Sequence, residues 1–142
     1  MSGDTHRQVS LERAERGQYT VTNARGGQIT VGSAAEGTSY FTPVELLLAA
    51  IGGCTAVDVD FVTARRAEPD RFEIEVGGES VRDDHGNHVT DITVTFRVAF
   101  PDGADGDKAR AILPDIVQKS HDRLCTVSRT VELGTTVTPR IE

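Results

Sequence analysis

Two short stretches in the first quarter of the chain alternate polar and apolar side chains. Residues 18–22 (QYTVT) and 28–31 (QITV) each repeat with a period of two, which is the pattern of half-buried β-strands. Between them lies Asn-Ala-Arg-Gly-Gly at 23–27, a sequence typical of a hairpin turn. The pattern therefore predicts a β-hairpin, preceded by a polar lead over residues 1–16.

A helix is predicted to begin directly after Thr42. Thr42 can act as the N-cap, Pro43 suits the first helical position, and Glu45 completes a capping box. The helix should run to about Arg66, where Ala-Glu-Pro at 67–69 ends it.

The first turns of this helix are apolar on every side, over residues 46–57 (LLLAAIGGCTAV). Such a helix lies inside a core or an interface. Gly52 and Gly53 each cost about 1 kcal/mol relative to alanine in a helix. We expect them to permit close approach by another backbone, for which a second copy of the helix is one candidate.

The second half of the chain predicts three more strands and a second helix. Alternation over 72–76 and 92–100 predicts two strands around a polar turn at 82–88, and Thr130–Val137 predicts a final strand. The second helix is predicted over 107–124, with a kink or a late start at Pro114. The order β-β-α-β-β-α-β indicates an α+β fold in a single domain over residues 1–142.

Composition and charge exclude some classes of partner. The 142 residues carry a formal net charge of -7, which argues against nucleic acid and anionic membranes, since both select basic surfaces. The N-terminal residues lack the layout of a signal peptide, and the apolar stretch Leu46–Val57 is too short to span a bilayer. We therefore expect a cytoplasmic protein with no membrane partner.

The two cysteines are the candidate chemistry. Cys54 lies in the apolar helix, on a stripe that also contains Asp58, a carboxylate that is costly inside unless it is paired. Asp58 therefore predicts that this face of the helix leads to solvent, a cation or a cleft. Cys125 lies between Arg123 and Arg129, and a nearby cation can lower the pKa of a thiol. In the reducing cytoplasm a static bridge is not expected, so the thiols are either buried fillers or reactive groups.

Two other polar groups have simpler explanations than chemistry. His121 precedes Cys125 by four residues and is typical of a surface histidine near a helix end. The acidic and histidine residues of the turn 82–88 are typical of a solvated loop rather than of a metal site.

The segments Thr42–Val59 (TPVELLLAAIGGCTAVDV) and Leu124–Ser128 (LCTVS) resemble the OsmC/Ohr family, the osmotically inducible and organic hydroperoxide resistance proteins. The glycine-rich helix is closer to the OsmC-like branch than to Ohr proper. The resemblance implies an intertwined homodimer in which antiparallel sheets wrap around a long central helix.

The resemblance also implies a thiol-dependent peroxidase that reduces organic hydroperoxides. Cys54 matches the peroxidatic cysteine, and Cys125 matches the resolving cysteine that forms a disulfide with it. A small dithiol or lipoyl-type reductant would restore both thiols. Arg25 matches the cation beside the thiolate, whereas Val44 occupies the position of the Ohr-type glutamate and Glu45 is explained by the capping box. No cofactor or metal is implied.

Two alternatives stay open. Because the Ohr-type glutamate is replaced by Val44, the chain is also consistent with a small-molecule-binding or redox-sensing dimer that has little or no turnover. A third interpretation is a structural dimer with inert cysteines.

Overall fold

The computed structural model describes residues 5–142. The chain divides into two compact units, Met1–Leu47 and Leu48–Glu142. The expectation of a single domain over 1–142 stays a prediction.

The first unit contains a three-stranded antiparallel sheet in the order β1-β2-β3. Its strands are β1 (Val9–Glu15), β2 (Gln18–Asn23) and β3 (Gln28–Gly32). The predicted hairpin is confirmed as β2 and β3. No strand was predicted within the polar lead over 1–16, but β1 lies there and pairs with β2 from Val9 to Glu15. Every residue of β1 is exposed, so the strand carries no buried face to reveal it.

The turn between β2 and β3 is held by the side chain of Asn23. Its Oδ1 accepts hydrogen bonds from the backbone N–H of Arg25 at 3.0 Å and of Gly27 at 2.9 Å. Gly26 has φ +89°, in the left-handed region where glycine has no steric penalty. The turn thus has a fixed backbone and places Arg25 at its exposed tip.

Helix α1 spans Pro43–Thr63, and the predicted start is confirmed. The N–H of Glu45 donates to Thr42 Oγ1 at 3.3 Å, and the N–H of Thr42 donates to Glu45 Oε1 at 2.8 Å. This reciprocal pair is the predicted capping box. The helix ends three residues before the predicted Arg66, and isolated backbone hydrogen bonds such as Ala67 N–H to the Thr63 carbonyl (3.2 Å) continue the chain as a turn.

The second unit continues from α1 into a long antiparallel hairpin. Its strands are β4 (Arg71–Asp83) and β5 (Gly86–Ala99). The predicted alternation is confirmed over 72–76 and 92–98, where the apolar side chains are half-buried and the polar ones exposed. A bulge interrupts the pairing beside Gly78, and Asp91 there has φ 54°.

One stripe of α1 is buried at a spacing of four residues: Ile51, Thr55, Val59 and Thr63. Gly52 adjoins this stripe, and a Cβ added to it would lie 2.6 Å from Val76 Cγ2 of β4. The close approach at Gly52 is therefore made by a side chain of the same chain and not by a backbone, which corrects the sequence-based expectation. Gly53 faces open space.

The last regular elements along the chain are helices. Helix α2 spans Ala104–Lys119, a π-helical turn spans Ser120–Leu124, and helix α3 spans Thr126–Glu132. The late start predicted for the second helix is wrong, because α2 begins ten residues before Pro114 and continues through it. With both units described, the α+β class is confirmed.

The predicted final strand Thr130–Val137 is wrong. Its first residues belong to α3, and residues 135–142 have no regular secondary structure. The hydroxyl of Thr130 donates to the Thr126 carbonyl at 2.7 Å, and the Cys125 sulfur accepts the N–H of Ser128. These local hydrogen bonds outweigh the strand propensity of the β-branched residues here.

Helix α1 is long and apolar enough to cross a membrane by length and composition, with a mean hydropathy of 1.7 over its most apolar window. The stretch Leu46–Val57 is only part of this helix, and length and composition alone do not place the helix in a membrane. A core helix of a water-soluble protein has the same character, so the membrane and cytoplasmic expectations stay predictions.

Candidate functional site

The two cysteines, 71 positions apart in sequence, lie together in the second unit. Cys54 lies on α1, and Cys125 lies between the π-helical turn and α3. The two thiols are close enough to change each other's pKa, and the backbone of Val127 and Thr126 also acts on the pKa of Cys54. Both thiols are free. The fold thus brings together two thiols whose separation in the sequence does not by itself suggest a pair.

The sulfur of Cys125 is enclosed by hydrogen-bonding groups. The residue is 1% exposed. The Thr55 hydroxyl can donate its proton to this Sγ at 3.6 Å or to the Ile51 carbonyl at 3.3 Å, and the N–H of Ser128 donates to the sulfur at 3.4 Å. The Cys125 thiol in turn donates to Ser128 Oγ at 3.3 Å. A buried thiolate at this position would therefore be solvated by protein groups rather than by water.

The two thiols are shifted in opposite directions. Burial raises the pKa of Cys54, and the neighbouring Cys125 raises it further, while the N–H groups of Val127 and Thr126 lower it. Burial also raises the pKa of Cys125, but the hydroxyl and N–H of Ser128, the Cys54 thiol and the Thr55 hydroxyl together outweigh it, so that the pKa is lowered. Within the second unit, Cys125 is the better stabilised thiolate.

A side-chain link holds the Cys125 segment against α1. The Ser120 hydroxyl, fully buried, donates to Asp58 Oδ2 at 2.8 Å. The Ser120 carbonyl accepts the N–H of Cys125 at 2.8 Å. Asp58 follows Cys54 by one helical turn. The Ser120–Asp58 hydrogen bond therefore joins the same two segments that carry Cys54 and Cys125. Asp58 was expected to face solvent, a cation or a cleft, and its partner is instead a hydroxyl.

A half-open cavity of about 490 Å³ lies on the Cys125 side of α1. Thr55 and Ser128, the two hydroxyl partners of Cys125, form part of its wall. The rest of the wall comes from α1, β5, α2 and the segments that follow α2. It has seven apolar residues (Ile51, Val89, Ile92, Val94, Phe96, Val117 and Val131) and five polar or charged ones (Thr90, Asp91, Gln118, His121 and Glu132). Neither cysteine is among the lining residues, so the cavity can receive an apolar group against the hydroxyl partners of Cys125.

Each of the remaining residues singled out in the sequence has its own surroundings. Arg25 belongs to the first unit, so its role stays a prediction. Glu45 forms the capping box. His121 is exposed, with Nε2 3.9 Å from Glu132 Oε2, and both residues form part of the cavity wall. In the turn 82–88, Asp83 accepts the N–H of His85. Within residues 5–142, no group of three or more His, Cys, Asp or Glu side chains is arranged to hold a metal.

Sequence reasoning missed Thr55, Ser128 and Ser120. Thr55 and Ser128 carry no signal, because single hydroxyl residues beside cysteines are common. Ser120 had an indirect signal, because a carboxylate on the stripe of Cys54 is costly inside unless it is paired. The expectation was nevertheless solvent, a cation or a cleft rather than a hydroxyl.

Comparison with known proteins identifies relatives over most of the chain. The family model described as OsmC-like protein matches residues 35–140. An uncharacterized protein of Mycobacterium tuberculosis is 30% identical over 131 residues, which cover 92% of each chain.

Among solved structures, an OsmC-like protein of unknown function from Vibrio cholerae has a TM-score of 0.73 at 14% identity, covering 91% of this chain and 95% of that one. The organic hydroperoxide resistance protein of Bacillus subtilis has a TM-score of 0.54 at 22% identity, covering 88% and 90%. At these identities the two structures support the fold.

Proposed function

The chain belongs to the OsmC-like protein family, and from that premise we propose that it is a two-cysteine thiol peroxidase that reduces organic hydroperoxides. The observation that carries the proposal is the meeting of Cys54 and Cys125 in one site, with both thiols free. Membership of the family and a fold similar to an organic hydroperoxide resistance protein fit this chemistry.

In the proposed cycle, the Cys54 thiolate attacks the O–O bond of the hydroperoxide. The sulfur becomes a sulfenic acid, and the alkoxide leaves and is protonated to an alcohol. Cys125 then attacks the Cys54 sulfur, so that the disulfide forms and the sulfenic oxygen leaves as water. A small dithiol or lipoyl-type reductant supplies two electrons and two protons to restore both thiols.

Arg25 is proposed as the cation that makes Cys54 reactive. Only the thiolate is a competent nucleophile, and within the second unit the pKa of Cys54 is raised by burial and by Cys125. Some other group must therefore favour its charged form. The exposed Arg25, on a turn whose backbone Asn23 fixes, is the candidate that the family resemblance supplies.

The active form is proposed to be a homodimer. The side of α1 opposite its buried stripe carries apolar residues that this chain leaves open. Val57 is 53% exposed, Phe61 is 67% exposed, and Gly53 faces open space. Large apolar side chains that are exposed together on one face of a helix indicate a protein–protein interface. A second copy of α1 would cover them.

The substrate class follows from the surroundings of the dithiol. The largely apolar cavity beside Thr55 and Ser128 offers space for an alkyl or aryl group. Burying such a group contributes roughly 25 cal/mol per Å² of apolar surface, which hydrogen peroxide cannot gain. The proposal therefore includes a preference for organic hydroperoxides.

The test is steady-state turnover of cumene hydroperoxide with dithiothreitol as the reductant. The wild-type protein should consume peroxide catalytically, and Cys54→Ser should abolish turnover. Cys125→Ser should lower turnover, because its Cys54 sulfenic acid must then be reduced directly by dithiothreitol. Thr63→Val is a matched control on the same helix, because its buried hydroxyl bonds only within α1, to the Val59 carbonyl at 2.9 Å. Full activity in Cys54→Ser would refute the proposal.

A second candidate is a redox-sensing or small-molecule-binding dimer with little turnover. It is favoured by the raised pKa of Cys54 and by Val44 in the place of the Ohr-type glutamate. In that case peroxide would be consumed stoichiometrically or not at all, and added dithiothreitol would not sustain consumption.

A further inference from the structure

The two sulfur atoms of the dithiol differ in their access to solvent. Cys54 is half-buried, whereas Cys125 is 1% exposed. In thiol–disulfide exchange, the incoming thiolate must reach one sulfur while the other leaves. Access alone therefore favours attack on Cys54, with Cys125 as the leaving group.

The groups around Cys125 favour the same direction. The Thr55 hydroxyl approaches from α1 and can donate to the sulfur, and Ser128 approaches from α3 with both its N–H and its hydroxyl. When Cys125 is a thiol it donates to Ser128 Oγ, and when it is a thiolate that hydroxyl can turn and donate instead. The sulfur that leaves as an anion thus has three donors available at distances of 3.3–3.6 Å.

We propose that a small dithiol reopens the Cys54–Cys125 disulfide by attacking the Cys54 sulfur, and that Thr55 and Ser128 stabilise Cys125 as the leaving thiolate. The inference rests on the proposed function, since it describes the reductive half of the same cycle. Thr55 and Ser128 thereby influence which sulfur the reductant attacks and how fast the disulfide is reduced.

The step balances as follows. A thiolate of the reductant forms a bond to Cys54 Sγ, the Cys54–Cys125 bond breaks, and its electron pair remains on Cys125 Sγ. The second thiolate of the reductant then attacks the reductant's own sulfur in the mixed disulfide and releases the Cys54 thiolate. The reductant is oxidised by two electrons to its disulfide, and the two protein thiolates take up protons. A lower pKa of the leaving thiol speeds the first of these steps.

The experiment uses the full chain with its disulfide formed by diamide, so that no peroxide is involved. The rate of reduction by dithiothreitol at pH 7 is followed by acid quenching and intact mass. Thr55→Val and Ser128→Ala should each slow reduction about three- to tenfold, since each removes a hydrogen bond to the departing charge. Thr55→Ser, which keeps a hydroxyl, should restore most of the rate.

Two matched controls separate this effect from a general loss of packing. Thr63→Val removes a buried hydroxyl of α1, and Thr130→Ala removes a hydroxyl of α3 that bonds to the Thr126 carbonyl. Both should reduce at the wild-type rate. In parallel, reduction by the monothiol 2-mercaptoethanol, quenched early and mapped by peptide mass, should place the mixed disulfide on Cys54.

An adduct on Cys125, or equal reduction rates in the wild type, Thr55→Val and Ser128→Ala, would overturn the inference. Failure of diamide to form the disulfide would overturn it as well. A protein that is reduced as described, but is not oxidised by any hydroperoxide, would refute the peroxidase and leave the inference standing.

Discussion

Ser120→Ala removes the one hydroxyl group that joins the helix of Cys54 to the segment of Cys125 through Asp58. The hydroxyl is fully buried and donates to the Asp58 carboxylate at 2.8 Å. Alanine fills nearly the same space, so the substitution removes the hydrogen bond and little else. The carboxylate is left half-buried without this donor.

The magnitude follows from the charge and the exposure of Asp58. A hydrogen bond to a charged group contributes about 1.5–3 kcal/mol when it is buried. Because Asp58 is half-buried, water can replace part of the lost interaction, and we expect a loss of about 1–2 kcal/mol in the free energy of unfolding. For a chain of this length that corresponds to a fall of roughly 2–8 °C in Tm.

The assay is a double-mutant cycle in urea at fixed protein concentration, with Ser120→Ala, Asp58→Ala and the double variant. The coupling energy should be about 1–2 kcal/mol. Asp60→Ala is the control, since Asp60 is an exposed aspartate of the same helix and should show no coupling to Ser120→Ala. A coupling energy below about 0.5 kcal/mol between Ser120 and Asp58 is within additivity and would refute the link.

Three further results are expected. Gly52→Ala should lower the free energy of unfolding by about 1–2 kcal/mol, because a Cβ would lie 2.6 Å from a β4 side chain and overpacking outweighs the gain in helix propensity. Cys125→Ser should shift the pH dependence of Cys54 alkylation by iodoacetamide to lower pH, because the Cys125 thiol raises the pKa of Cys54 and serine does not ionise. Val94→Thr, which places a hydroxyl in the cavity wall, should raise the KM for cumene hydroperoxide about three- to tenfold, whereas Val98→Thr on the same strand should not.

Each of these expectations has a contrary outcome. If the Gly52→Ala protein were as stable as the wild type, the β4 side chain would be able to move aside without lowering the free energy of unfolding. An alkylation midpoint for Cys54 that stays in place or rises in Cys125→Ser would remove the proposed charge coupling. Equal KM values for Val94→Thr and Val98→Thr would place the organic group outside this cavity.

Local signals predicted the elements whose side chains alternate or form caps. The start of α1 follows from Thr42 and Glu45, whose reciprocal hydrogen bonds are both present. The hairpin of β4 and β5 follows from a period of two that packing preserves. Strand β1 was not predicted, because all of its residues are exposed and none marks a buried face. Helix α3 was not predicted, because its β-branched residues favour a strand.

The site was less accessible to sequence reasoning. The separation of 71 positions between Cys54 and Cys125 suggests no pairing by itself, and only resemblance to a family joined them. The opposite pKa shifts depend on which hydroxyl and N–H groups the fold brings to each sulfur. Such contacts come from tertiary structure. For Asp58 the sequence indicated only that the carboxylate needs solvent, a cation or a cleft.

The central claim is that Cys54 and Cys125 are a working redox pair. It is tested most directly by treating the reduced protein with one equivalent of cumene hydroperoxide and recording its intact mass without reductant. The account predicts the loss of two hydrogens per chain, abolished by either Cys54→Ser or Cys125→Ser. An unchanged mass in the wild-type protein would contradict it.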